Sequence, residues 1–211
     1  QIALLRGEPE RAEEAAEALR EADPAAFTQA QRLLFDDAAA RWRRAVASGE
    51  PSDRLSPLAQ RAVRLGRDVL RRMDQQGGAP ADAARLAAQA TTADAAASLW
   101  FTSNDADARD LAVLLYRAAL RAAPDSRPLL HAAWRVLLDA GDRDGALDCL
   151  ARLQSGLEAG SPDWFEARGE YIILLSQADP ARARTLLRQH ASLFPQLAPG
   201  RMGERLAALR D

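Results

Sequence analysis

Apolar positions recur along this chain at steps of three and four. Ala112, Tyr116, Ala119 and Leu120 fall on one face of a helix with 3.6 residues per turn, and Pro124 ends the run. Small residues at Ala112 and Ala119 admit a neighbouring helix, and Tyr116 fills the space between them. The cadence repeats. Gly7-Glu-Pro-Glu-Arg-Ala12 leads into a helix predicted to end at Asp23-Pro24, with Ala12 to Pro24 spanning 12 residues, as do Ala112 to Pro124 and Ala183 to Pro195. The anchor alanines Ala112, Ala146 and Ala183 are 34 and 37 residues apart. Twelve residues before each of these three stand Trp100, Trp134 and Tyr171. The pattern predicts helix pairs whose first members span about 92–104, 127–140 and 162–177.

The middle of the chain, 25–91, is less regular. Phe27, Ala30, Leu34, Ala38, Trp42 and Ala45 form one helical stripe. Ala83, Leu86, Ala90, Ala93, Ala97 and Trp100 form another, predicted to break or kink at Thr91-Thr92 because β-branched residues weaken helix. Ala62 is a further anchor, 50 residues from both Ala12 and Ala112. The segments 48–53 and 75–80 read as loops, since Gly, Pro, Ser and Asp cluster there. The run Tyr171–Leu175 is the best strand candidate but lies in a helical frame, so helix is expected throughout. At the end, 199–210 reads as a capping helix with Met202, Leu206 and Leu209 on its apolar side.

With its anchor alanines, phased aromatics and period near 34, the chain resembles the tetratricopeptide repeat (TPR) superfamily over 92–195 and over a half-repeat at 1–24. The expected fold is all-α: antiparallel helix-hairpin repeats in a TPR-like α-solenoid, with two enlarged, irregular hairpins in the N-terminal half and a C-terminal capping helix, all in one domain over 1–211. The family carries a small residue where Trp100, Trp134 and Tyr171 fall here. Rings at those positions imply splayed helix pairs.

Composition narrows the function. The 30 acidic residues outnumber 28 basic ones, giving a formal charge of −2, which argues against a dedicated nucleic-acid binder. Every basic residue is arginine, the signature of codon bias in a GC-rich bacterial genome. No apolar run approaches the roughly 18 residues that a membrane span needs. The chain opens in mid-helix without Met, so it reads as a piece of a larger protein. Cys149, the one cysteine, excludes an internal disulfide, and its helical setting predicts a packed small hydrophobe. His131 and His190 belong to no HExxH motif and are expected on the groove or the surface. No phosphate-binding loop occurs, Gly77-Gly78 lacks the dinucleotide spacing, and lysine is absent. Asp105, Asp107 and Asp110 are expected to cap a helix. Arg61, Arg64, Arg67, Arg71 and Arg72, with Asp68 and Asp74 among them, read as a solvated helix face. No enzyme, cofactor or metal is expected.

The resemblance implies that the first helix of each pair lines a concave groove where partners lie. The stripe predicted to do so carries Phe101 and Asn104, then His131, Arg135 and Leu138, then Phe165, Arg168 and Ile172. Apolar side chains mixed with Arg and His suit an acidic peptide with hydrophobic anchors, or an amphipathic helix. The Lys/Asn clamp of chaperone-binding TPR domains is missing. These apolar residues have a competing use, in packing against the helices of 26–103 or a second copy of the chain. The function expected is therefore a protein- or peptide-binding scaffold. The alternative is a regulatory or accessory helical domain of an enzyme or signalling protein.

Overall fold

In the computed structural model, which describes residue 3 and residues 7–77 and 82–209, every regular element is a helix. The chain divides into two compact units, Gln1–Ala123 and Pro124–Asp211.

The first unit contains α1 (Pro9–Glu17), α2 (Leu19–Ala22), α3 (Pro24–Ala47), α4 (Ser52–Gln75), α5 (Ala83–Ser103) and α6 (Ala106–Ala122). The helical run ends at Asp23-Pro24 as the sequence pattern predicts, divided into α1 and α2 at Ala18, whose own backbone stays helical. Asp23-Pro24 then opens α3: the Asp23 carboxylate accepts from the Ala26 amide at 3.0 Å, and Pro24 sits where a missing N–H costs nothing. The 48–53 loop is shorter than expected, since α4 begins at Ser52; residues 78–80 of the expected 75–80 loop lie outside the described residues.

Helix α5 lies between α4 and α6. Its buried residues are chiefly small, Ala88, Ala93, Ala95, Ala96 and Ala97 among them, so neighbours approach it closely on two sides. It starts at Ala83 and runs unbroken through Thr91-Thr92, contrary to the predicted break. The buried Thr92 hydroxyl donates to the Ala88 carbonyl at 2.7 Å, so tertiary burial and an internal hydrogen bond override the weak helix propensity. Facing it on α4 is Gly66. A Cβ there would stand 2.9 Å from the Phe35 ring and 3.0 Å from Thr92 Cγ2. Helix α5 ends at Asn104, whose φ of 55° is left-handed, and Asp105 caps α6 by accepting from the Ala108 amide at 3.0 Å.

The second unit contains α7 (Arg127–Asp139), α8 (Arg143–Ser155), α9 (Pro162–Ala178), α10 (Pro180–Leu193) and α11 (Gly200–Ala207). Each of α7, α8 and α9 packs on the helix that follows it, and α11 returns onto α9. Gly141 takes a φ of 87° at the first turn, and Asp142, Ser161 and Asp179 cap the helices that follow them. The anchors Ala112 and Ala146 are wholly buried, and Ala183 nearly so. The expected capping helix is present: Leu206 is buried with Ile172, Leu187, Leu197 and Ala198, and Met202 and Leu209 pack against that cluster.

Candidate functional site

An open cavity of ≈ 280 Å³ lies in the second unit. Its floor is apolar, formed by Trp134 of α7, Leu150 and Leu153 of α8, and Leu157 just beyond. One wall is the exposed side of α7, with Arg127 and His131; the other is α9, with Asp163, Glu166 and Glu170. Helical spacing produces both walls, because residues three and four apart share a face. Leu130 and Ala133 on α7 and Tyr171 on α9 are buried, and Ala167, also buried, lines the cavity between the α9 carboxylates.

Glu166 and Glu170 form a ridge, because they also line a second, shallower depression toward α11, with Phe165, Met202 and Arg201. The ridge is tied down on both sides. Arg135 of α7 donates to Glu166 at 3.2 Å, with its guanidinium 4.9 Å from the Trp134 ring centroid. Arg205 of α11 grips Glu170 with both terminal nitrogens, one at 3.0 Å. Glu170 is the better covered, its side chain 16% exposed against 50% for Glu166. Asp163, in the first turn of α9, and the cations Arg127 and Arg201 have no ion-pair partner among the described residues.

The residues expected to line the groove divide. His131 and Arg135 stand on the exposed face of α7, with Leu138 half-buried one turn on, and Phe165 lines the shallower depression. Phe101 is 57% exposed and stacks on Trp100 at 4.7 Å, in the first unit. Asn104, also in that unit, is the helix-ending residue described above. Two of the expected residues point inward. Ile172 is wholly buried in the capping cluster. Arg168 lies half-buried against α8, donating to Gln154 Oε1 at 3.1 Å, and desolvation lowers its pKa. The register itself holds: Leu130, Trp134 and Leu137 on α7 and their counterparts Ala167, Tyr171 and Leu174 on α9 are all buried. What differs is the covering of α9, because α11 packs back onto it and encloses Ile172, while Arg168 is taken up by Gln154 of α8. Arg168 is two positions, about 200° of helical rotation, from Glu166 and from Glu170. The carboxylates at 163, 166 and 170, set at steps of three and four, were the signal that identifies the open face.

His190 is also not at the surface. It is 2% exposed, its ring 5.7 Å from that of Trp164 and 5.4 Å from that of Phe194, with the edge of Phe165 at 5.9 Å. Its Nε2 bonds the carbonyl of Leu197, a residue with a φ of 63°, and its Nδ1 has no partner. Burial lowers its pKa, and the Arg168 charge lowers it further against the opposing effect of the Leu197 bond. Cys149 is 2% exposed, and burial with the nearby Asp148 carboxylate pushes its thiol up to about 11.

In the first unit a polar chain crosses three helices. The Tyr116 hydroxyl of α6 donates to Asp94 of α5, whose carboxyl burial holds above the usual range, and Arg43 of α3 donates to Thr91 at 2.5 Å. Burial and the Asp94 charge raise the Tyr116 phenol. The arginine run of α4 is used structurally as well as solvated: Arg61 and Arg64 both grip Glu13 of α1, and Arg72 bonds Gln31 and lies 4.1 Å from the Phe27 ring centroid. Among the described residues no cluster of His, Cys, Asp or Glu has the makings of a metal site. No described helix is long and apolar enough to cross a membrane. No family model matches the chain, and a search of the curated proteins finds no match.

Proposed function

We propose that the second unit is a binding module that holds a segment of a protein or peptide partner in the cavity between α7 and α9. The observation that carries this reading is the cavity itself: an apolar floor large enough for one bulky side chain, with charged and hydrogen-bonding groups on both walls. Rigid helices present it, so little ordering accompanies binding. The reading is of a non-catalytic module. The carboxyl, phenol, thiol and imidazole groups with displaced pKa values, Asp94, Tyr116, Cys149 and His190, sit in helix packing, and none lines the cavity. The resemblance to TPR proteins, carried by Ala112, Ala146, Ala183 and the phased aromatics, favours the same reading.

Panning a random peptide library on the immobilised chain tests it. Wild type is expected to enrich peptides with a recurrent large apolar residue. His131→Trp, which projects an indole from the α7 wall, is expected to weaken them about tenfold, or roughly 1.4 kcal/mol, with an unchanged circular dichroism spectrum. No enrichment would defeat the reading. Enriched peptides that bind the variant equally well would move the site off this cavity.

A further inference from the structure

The charges around the ridge define the occupant more narrowly, and this inference rests on the binding-module reading above. From the residues left without partners, we infer that the site takes an acidic segment carrying two apolar anchor side chains, laid across α9 with one anchor on each side.

Two observations combine. The cavity beside α7 and the depression beside α11 both have apolar surface, and both are bounded by the same two residues, Glu166 and Glu170. A segment crossing that ridge fills both with successive anchors: Trp134, Leu150 and Leu153 meet one, Phe165 and Met202 the other. The second observation is which charges remain to be satisfied. The ridge carboxylates already hold Arg135 and Arg205, so much of their charge is neutralised before a basic segment arrives. Arg127, at the start of α7, and Arg201, in the first turn of α11, have no carboxylate among the described residues. Each lines one of the two hollows, Arg127 the cavity and Arg201 the depression. Arg127 leans toward the end of α8, its Nε 3.6 Å from where a Cβ on Gly156 would be. An acidic segment gains both cations and breaks no existing pair. Asp163 is the opposing charge without an ion pair, and Glu166 and Glu170 are opposing charges that arginines offset, so acidic residues belong over α7 and α11 and away from α9.

Fluorescence polarisation with the full chain tests this. Three labelled peptide sets would carry two leucines separated by two to six residues, with flanks of Glu, of Gln, or of Lys. The Glu set is expected to bind about tenfold tighter than the Gln set, with the advantage shrinking as salt rises. Arg127→Glu and Arg201→Glu, both exposed substitutions checked for folding by circular dichroism, are each expected to weaken the Glu set about two- to fivefold and the Gln set by clearly less. Peptides with one leucine are expected to lose most of the affinity. Glu and Gln sets that bind alike, a Lys set that binds tightest, or single-leucine peptides that bind as well as double ones would overturn the inference and leave the binding module standing. No binding by any set would overturn both.

Discussion

His190 concentrates the chemistry of the second unit's interior in one side chain. Its ring is enclosed by Trp164, Phe165 and Phe194, its Nε2 holds the Leu197 carbonyl, and the charged group acting on it is Arg168 on α9. The native state therefore keeps the imidazole neutral. An unfolded histidine titrates near 6.5, and the native value lies lower, so the unfolded chain binds the extra proton first as pH falls. Stability from this group is complete above about pH 7.5, declines as pH drops through 6.5, and levels off below the native value. Urea denaturation between about pH 8 and pH 5.5 is expected to show the decline in wild type and a flatter profile in His190→Gln. A wild-type profile as flat as the variant's would refute the argument. In the sequence, His190 has no feature that separates it from a surface histidine; what buries it is the return of residues 194–198 over α10, a tertiary event.

At the scale of the helix, small residues decide where neighbours meet. Gly66 and Thr92 mark the close approach of α4 and α5, with the Phe35 ring filling the remaining side. Gly66→Ala would improve helix propensity in isolation, yet it is expected to destabilise by about 1–3 kcal/mol because both neighbours are buried and cannot retreat. A thermal melt unchanged or raised would show that the interface relaxes. The helices were largely legible in the chain. The spacing predicts 127–140 and 162–177, against observed spans of Arg127–Asp139 and Pro162–Ala178. The cap at α11 was equally visible, since Met202, Leu206 and Leu209 share its apolar side. What eluded the pattern was the return of α11 onto α9, a contact between segments distant in the chain that buries Ile172, and the bond that draws Arg168 to Gln154 of α8. The break at Thr91-Thr92 failed differently: local propensity was outweighed by burial against α4.

For the whole molecule, the anchor alanines carry the packing in both units. Ala112 and Ala146 have no exposed surface. Ala112→Trp and Ala146→Trp are each expected to cost on the order of 1–3 kcal/mol or more through overpacking, seen as lowered melting temperatures by circular dichroism. Wild-type melting in both variants would remove the anchors from any role in specifying the fold.

The order in which the helices pack has a consequence for how the chain comes to its native state. The substantial helix contacts within each unit join elements that are neighbours or next neighbours in sequence: α3 with α4, α4 with α5, α5 with α6, then α7 with α8, α8 with α9, and α11 back to α9. Closing such contacts requires only short loops, whose entropic cost is small. Mean sequence separation between contacting residues is what slows folding across small proteins, and here it is kept low by construction. As the chain leaves the ribosome, each new helix finds its partner already made, so burial of the alanine faces can proceed in step with synthesis.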